Sequence, residues 1–302
     1  MWVIFGLLAP LFWGIANIGD RYLSSVAVKN EYALTFAAGV LRLPLVIVFL
    51  WISGWFLPNL NSLIWVFISG FLTIFAYVFY FRAFQKEEAS RVMLLYYTIS
   101  PLVTFALSAV FLGERFSNYD LAGSLLLLVA AFLTVVKFQK GFFKFNIGIL
   151  WVLLSGLFWP ASDVIQKYLT PIFPSTSSLF AWTLAGSFIA GFVLLLMPDF
   201  SKNCKPNDFR WSKSSWLLFI INSALFFLGI FTFLKAIAIG KVALTVVLNV
   251  SQPLFVFIFE LMMRKFRPTL WQVDTSTSSL IAKTTAFFLM VAGVWLFTFT
   301  HV

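Results

Sequence analysis

The sequence predicts an all-α, polytopic membrane protein whose ten transmembrane helices form two inverted five-helix repeats. Of the 302 residues, 61% are hydrophobic and 11% are charged, whereas a soluble globular domain is about half apolar and about a quarter charged. The apolar residues fall in runs long enough to cross a bilayer. The stretch near the start of the chain recurs, with substitutions, near its middle. These three observations place the chain in a lipid environment before any single residue is interpreted.

The repeated stretch reads LLAPLFWGIANIGDRYL at 7–23 and LLSGLFWPASDVIQKYL at 153–169. In this alignment Trp13 recurs as Trp159, and Asn17 is matched by Asp163. One polar side chain per copy, at the same depth of an apolar helix, indicates a duplicated membrane protein with a polar site between its halves. Asn17 and Asp163 are therefore candidate substrate-binding residues, and the two tryptophans either cap the cavity or simply pack.

Ten apolar runs account for most of the chain. A bilayer core is roughly 30 Å thick, so a spanning helix needs about 20 mainly apolar residues. Runs of this kind cover about 2–23, 32–56, 62–84, 91–112, 119–138, 146–170, 178–198, 215–237, 242–263 and 279–300. Short connections make neighbouring helices antiparallel, and the middle connection 137–146 separates a repeat at 1–140 from one at 145–302. Because five spans is an odd number, the second repeat enters the membrane from the opposite side.

The duplication extends beyond the opening span. Phe81-Arg82-Ala83 is echoed by Leu234-Lys235-Ala236, and Ser100-Pro101-Leu102 by Gln252-Pro253-Leu254. Pro101 and Pro253 lie inside predicted spans, where each frees a backbone carbonyl that can line a cavity or form a hinge.

Several short motifs follow one another in a fixed order: Trp13 after the opening apolar turn, Arg42 within LRLP, the in-span Pro101 before LGER at 112–115, and a fifth span around Gly123. In this order, and with the duplication, they resemble the EamA type of the drug/metabolite transporter superfamily. The resemblance implies a secondary transporter with a central cavity lined mainly by the first, third and fourth helices of each half. The second half has MMRKF at 262–266 in place of LGER, so that copy of the motif is expected to have lost its role.

Arg42 is a charged residue near the middle of the second span. A charge at the bilayer centre costs at least about 2.5–3.5 kcal/mol on insertion scales, so it is a functional candidate. Its guanidinium either recognises a carboxylate or phosphate of the substrate or forms a structural ion pair with Asp20 or Glu114. The ion pair is the favoured interpretation.

Asp163 has two interpretations of equal weight. Its carboxylate either binds a substrate ammonium or carries the coupling proton, or it pairs with Lys167 one helical turn away. For Glu260, pairing with Arg264 is favoured.

Neutral polar side chains in spans 3, 4, 8 and 9 complete the predicted substrate site: Tyr77, Tyr80, Ser100, Asn222, Asn249 and Gln252. Spacings of three or four residues place Tyr77 with Tyr80, and Tyr96 with Ser100, on shared helix faces. Tyr96 and Tyr97, close to the start of their helix, fit the interfacial aromatic belt.

Several classes of protein are excluded by what the sequence lacks. Cys204 is the single cysteine and His301 the single histidine, so a disulfide, a cysteine cluster for metal or a histidine-based catalytic centre is not expected. There is no GxxxxGK[ST] motif for ATP. We expect no cofactor and no metal.

The expected partners are a small-molecule substrate and the lipid bilayer of the cell (inner or plasma) membrane. The net charge is +10, and the basic residues lie mostly in short connections between the apolar runs. This distribution is typical of membrane anchoring rather than nucleic-acid binding. That charge count places both termini outside, whereas the family resemblance implies termini inside. Proton coupling, and a monomer or a weak homodimer, remain open alternatives.

The function that these features predict is secondary active transport of a small organic metabolite, an amino acid or a similar amphipathic solute, by alternating access. It is not expected to be an enzyme. One alternative is a non-transporting membrane scaffold or lipid scramblase. The least favoured is an intramembrane protease that uses Asp20 and Asp120.

Overall fold

The structure is a computed structural model that describes residues 1–23, 27–28, 30–86, 89–135, 147–266 and 277–299. Within these ranges the chain is helical and has no strand. The first half contains α1 (Trp2–Tyr22), α2 (Glu31–Val40), α3 (Arg42–Ile52), α4 (Leu60–Lys86), α5 (Ala89–Leu112) and α6 (Asn118–Val135). The second half contains α7 (Ile147–Leu169), α8 (Thr176–Leu194), α9 (Pro198–Asn203), α10 (Lys213–Ile239), α11 (Val242–Asn249), α12 (Gln252–Met263) and α13 (Thr277–Phe299).

Eight helical segments of the described chain are long and apolar enough to cross a membrane. Two shorter apolar helices, at Asn118–Leu133 and Leu280–Leu296, accompany them. The prediction of an all-helical, multi-pass membrane protein is therefore confirmed. The predicted middle connection, 137–146, lies outside the described residues, as does the 267–276 part of the predicted loop 264–278.

Two of the predicted spans are each broken into two helices. α2 ends at Val40 and α3 begins after Leu41, while α11 ends at Asn249 and α12 begins at Gln252. Each break precedes a proline, Pro44 or Pro253, by a few residues. Proline has no N–H to donate, and its ring clashes with the carbonyl four residues earlier, which is Val40 or Asn249 here. Pro101, by contrast, lies inside the continuous helix α5.

The most extensive contacts join helices of different halves. α4 packs on α7 and α1 packs on α10; α5 packs on α7, and α1 on α11 and α12; α6 packs on α13, and α3 on α8. Exchanging the halves turns α4–α7 into α1–α10 and α5–α7 into the contacts of α1 with α11 and α12, and it leaves α6–α13 and α3–α8 unchanged. α4 also packs on α8, and this contact has no comparably extensive counterpart between α10 and α2 or α3 among the described residues. The two halves are therefore interlocked, and most equivalent helices have equivalent neighbours.

Some of these helices approach each other very closely. A Cβ atom added to Gly70 of α4 would lie 2.5 Å from the backbone nitrogen of Ser187 in α8, and one added to Gly186 would lie 2.9 Å from the Cα of Phe67. Small residues at such contacts let membrane helices pack backbone to backbone.

One end of the helix bundle is tied together around the connection between α10 and α11. The Lys241 ammonium lies 2.8 Å from the buried Asp120 carboxylate, and the Val242 N–H donates to Glu114 Oε1 at 2.9 Å. Gly113 has a φ of +66°, a conformation that glycine adopts without strain, and it ends α5 just before Glu114. The glycine and glutamate of the LGER motif thus connect the first half to the N-terminus of α11.

Lys167 strengthens the same end from within the second half. Its Nζ donates to the carbonyls of Ile237 at 2.7 Å and Gly240 at 2.9 Å, which lie at the C-terminus of α10. We call Glu114, Asp120, Lys167 and Lys241 the Lys241 clamp. An open crevice of about 470 Å³ adjoins it, lined by Phe111, Leu112, Glu114, Lys167, Tyr168, Thr170, Pro171 and Ala238.

Candidate functional site

Trp159, in the middle of α7, is surrounded by three tyrosines. Its ring centroid lies 4.7 Å from that of Tyr77, 5.4 Å from Tyr80 and 5.3 Å from Tyr96, each in an edge-to-face arrangement. Tyr77 and Tyr80 share a face of α4, and Tyr96 comes from α5. We call these four residues the tyrosine box. Rings that combine an apolar face with a polar tip suit a ligand with both apolar and polar parts.

Trp13 lies next to the tyrosine box and is joined to it through Phe226 of α10. The Trp13 indole N–H donates to the Phe226 carbonyl at 3.2 Å. The Phe226 ring centroid lies 6.4 Å from that of Trp13 and 5.7 Å from that of Tyr77. Of the two interpretations of Trp13, these contacts favour packing.

Asp163 follows Trp159 by one helical turn and is half-buried. Trp159 contacts Tyr96, whose hydroxyl is hydrogen-bonded to the buried Ser100. Lys167 is bound to carbonyls of α10 instead, and Asp163 makes no ion pair or hydrogen bond with any described residue. The pairing of Asp163 with Lys167 is therefore wrong, and the interpretation as a site residue is favoured.

Asp20 and Asn222 form a second polar group, which connects α1 to α10. The Asn222 amide donates to Asp20 Oδ1 at 2.7 Å; the asparagine is buried, whereas the aspartate is exposed. Asn222 lies one helical turn before Phe226, which contacts Tyr77, so the Asp20–Asn222 pair adjoins the tyrosine box. Asn17, half-buried, lies on the same face of α1, one turn from Asp20.

Arg42 stands at the start of α3, directly after the break in the second span. Only 3% of it is exposed, and its guanidinium carbon lies 5.9 Å from the centre of the Phe227 ring. The Phe227 ring lies 5.9 Å from that of Phe226, which contacts Tyr77 of the box. The favoured ion pair with Asp20 or Glu114 is wrong, because Arg42 pairs with no carboxylate among the described residues. Asp20 binds Asn222 and Glu114 binds the N-terminus of α11, so neither reaches Arg42.

Two predicted site residues are not joined to the tyrosine box by a described hydrogen bond. Asn249 and Gln252 flank the break in the ninth predicted span, and neither has a described hydrogen bond to a residue of the box. The Asn249 Oδ1 atom is buried with no hydrogen-bond partner in the described structure. The pairing of Glu260 with Arg264 stays a prediction.

The structure adds residues that the sequence did not place in the site. Tyr96 and Tyr97 are not belt residues: Tyr96 closes the tyrosine box and Tyr97 is buried in the core. The spacing of Tyr96 and Ser100 was the available signal. Asp20 was expected as a possible ion-pair partner of Arg42, and nothing about Phe226, one of many phenylalanines, distinguished it.

Asp20 and Asp120 do not form a catalytic pair. Trp2, at the start of α1, packs against Gly240, and the adjacent Lys241 binds Asp120. Asp20 lies near the other end of α1, about 27 Å away at ~1.5 Å per residue. The described residues also contain no group of histidine, cysteine and carboxylate side chains that could hold a metal ion.

Together these features describe a polytopic membrane protein with a cluster of aromatic and charged side chains, the candidate site, between two interlocked helical halves. Residues 1–136 and 146–282 match the EamA-like transporter family, once in each half. The chain belongs to this family, which is part of the drug/metabolite transporter superfamily and whose members are generally transporters rather than enzymes. One solved structure, described only as the crystal structure of a protein, has a TM-score of 0.71 and 20% sequence identity, covering 99% of this chain and 96% of that one. No curated protein matches the chain.

Proposed function

We propose that this protein is a secondary active transporter that moves a small organic metabolite, an amino acid or a similar amphipathic solute, across the cell membrane. The observation that carries the proposal is the tyrosine box with Asp163 beside it. A half-buried carboxylate that no described residue neutralises has a use if it binds a cation or a proton.

The proposed architecture has ten crossings, in which α6 and α13 complete repeats at 1–140 and 145–302. The exchange of equivalent helix contacts between the halves supports a two-fold relation between them. With five crossings in each repeat, the second repeat is inverted relative to the first. A site at the junction of such repeats can be exposed to either side as the halves rock against each other.

The Lys241 clamp supports the alternating-access mechanism. It joins the two halves at one end of the bundle, whereas the exposed Asp20 carboxylate lies near the other end. In our proposal the clamp closes one side of the site, and its release accompanies opening of that side.

The charges around the tyrosine box suit a zwitterion. Asp20 and Asp163 supply two carboxylates and Arg42 one guanidinium. One carboxylate can pair with a solute ammonium, which leaves the other for a proton. In this proposal Asp163 is the coupling site and Asp20 remains bound to Asn222.

Transport by purified protein in proteoliposomes tests the proposal. We expect saturable uptake of at least one radiolabelled amino acid, counterflow exchange of the same solute, and loss of both in Trp159→Ala. Leu157→Ala, which changes an exposed apolar side chain of the same helix, is the matched control and should transport normally.

Failure of the wild type to move any amino acid, nucleoside or drug, and to bind any, would contradict the proposal. The same vesicles carrying a fluorescent lipid report scrambling. Lipid movement without solute movement would favour the scramblase instead.

A further inference from the structure

Arg42 is a buried cation for which the described structure offers no anion. Its Nε is completely enclosed and has no hydrogen-bond partner, and no hydrogen bond or ion pair joins the guanidinium to a described residue. Its one described favourable contact is with the face of the Phe227 ring. The other ionisable residues near the box, Asp20 and Asp163, are not bonded to it.

This arrangement is costly unless a partner arrives from outside. Arginine cannot shed its proton to escape burial, and a charge removed from water without an opposite charge is strongly unfavourable. A cation–π contact offsets part of that cost. The Phe227 ring beneath Arg42 lies 5.9 Å from the Phe226 ring, and Phe226 lies 5.7 Å from Tyr77, so a path of two phenylalanine rings links the guanidinium to the tyrosine box.

We propose that Arg42 is an anion subsite that binds the carboxylate of the transported solute, an inference that rests on the proposed transport function. The planar guanidinium can donate two parallel hydrogen bonds to a carboxylate. A phosphate dianion fits less well, because Asp20 and Asp163 add negative charge around the same box. The solute is then oriented with its carboxylate at Arg42 and its ammonium towards an aspartate.

A structural role for Arg42 makes the opposite prediction about stability. If the guanidinium held the helices together, its removal would lower the melting temperature of the ligand-free protein. If the guanidinium instead binds a solute, Arg42→Met removes a charge that is uncompensated in the ligand-free protein. The ligand-free variant should then melt at the same temperature as the ligand-free wild type or higher. The matched control is Lys235→Met, since Lys235 also lies over a phenylalanine ring, Phe231, at 5.3 Å but is only half-buried.

The binding experiment uses L-phenylalanine, L-tyrosine, L-leucine and L-methionine, each compared with its own amide, in thermal-shift assays of the purified protein. A ligand that binds the folded state raises the melting temperature. We expect at least one free acid to stabilise the wild type and the Lys235→Met control, and its amide to have no effect at the same concentration. Arg42→Met should respond to neither, and Arg42→Lys should bind the acid at least about tenfold more weakly, because it keeps the charge but loses the second donor.

Three results would overturn the proposal: an amide that binds as well as its acid, an acid that binds Arg42→Met unchanged, or a ligand-free Arg42→Met that melts well below the wild type or does not fold. No shift with any of the four acids also counts against it. Flux in proteoliposomes separates this inference from the transport function. Transport of a neutral or cationic solute would contradict the anion subsite but support the transport function. Binding of an acid at Arg42 without any flux would support the subsite but contradict the transport function.

Discussion

α1 and α7 are two copies of one sequence, yet their tryptophans have different surroundings. The Trp13 N–H is bound to the Phe226 carbonyl, and the ring lies so close to Gly229 that a Cβ there would overlap it. Trp159 faces three tyrosines, and its N–H has no hydrogen-bond partner among the described residues. One tryptophan is therefore fixed by packing, and the other has a polar group still to be satisfied.

The surroundings of the two tryptophans differ in polarity, although the two rings occupy equivalent positions in their halves. The echo of 81–83 in 234–236 makes Phe233 the counterpart of Tyr80, and the ring distances agree: 5.9 Å from Trp13 to Phe233 and 5.4 Å from Trp159 to Tyr80. The same contact is made twice, once with a hydroxyl and once without. Duplication thus provided two equivalent positions, of which one holds the halves together and the other is surrounded by the polar groups of the proposed site.

The largest effect is expected at the position where the copies differ in charge. If Asp163 is the coupling site, a pH gradient of one unit supports about tenfold accumulation of solute, because each factor of ten corresponds to about 1.4 kcal/mol. Asp163→Asn should reduce this ratio to about one and leave counterflow exchange intact, since exchange needs no net proton movement. Uptake into proteoliposomes with and without the gradient measures both.

Asn17, the residue of α1 that matches Asp163 in the repeat, supplies the control for this substitution. Asn17→Ala removes the matching polar side chain of α1 and should keep the response to the pH gradient, even if it weakens solute binding. Gradient-driven accumulation that persists in Asp163→Asn, or that disappears equally in Asn17→Ala, would contradict the assignment of coupling to α7.

The sequence was sufficient for the features that repeat. The matching of Trp13 with Trp159, and of Asn17 with Asp163, predicted the duplication and the two helices at the centre of the site. Apolar run length predicted where the helices lie. These signals are local or are carried by comparison of the chain with itself, so no three-dimensional information was needed.

What the sequence could not predict depends on contacts between distant residues. The opposite charges of Arg42 and Asp20 suggested an ion pair, but α1 packs on α10 so that Asn222 forms a hydrogen bond with Asp20 instead. Lys167 looked like a partner of Asp163 by spacing, but the C-terminal carbonyls of α10 attract it, as such helix ends attract cations. In both cases a competing partner from a distant part of the sequence binds instead.

Removing each tryptophan in turn separates an effect on stability from an effect on uptake. Trp13→Ala should lower the stability of the protein by about 3 kcal/mol, the lower end of the range for aromatic truncations in cores, while solute affinity changes little. Trp159→Ala should cost less stability but abolish solute uptake, because the box loses its central ring. Melting temperatures and uptake rates of both variants test the comparison, and equal loss of uptake in the two would remove the distinction.

A smaller effect on stability is expected at Gly229, whose missing side chain leaves space for the Trp13 ring. In Gly229→Ala the new methyl group overlaps a rigid, hydrogen-bonded indole, so α1 and α10 must separate, at a cost of about 1–3 kcal/mol. Gly39→Ala is the matched control, since its Cβ would meet only the Cα of Gly191 at 3.6 Å, an ordinary contact. Thermal melting that shows the control unchanged and Gly229→Ala destabilised supports the packed interpretation of Trp13; equal melting temperatures would contradict it.

The smallest expected effect concerns a single hydroxyl of the tyrosine box. Tyr96→Phe keeps the ring contacts with Trp159 and Tyr80 but removes the hydrogen bond to Ser100, which is worth about 1 kcal/mol. The neighbouring Tyr97, buried and without a hydrogen bond to a described residue, provides the control: Tyr97→Phe removes a hydroxyl that bonds nothing described and should not lower the melting temperature. If the two substitutions change stability equally, the hydroxyl of Tyr96 contributes nothing of its own. The polarity that distinguishes the Trp159 copy would then have to come from Tyr77, Tyr80 and Asp163.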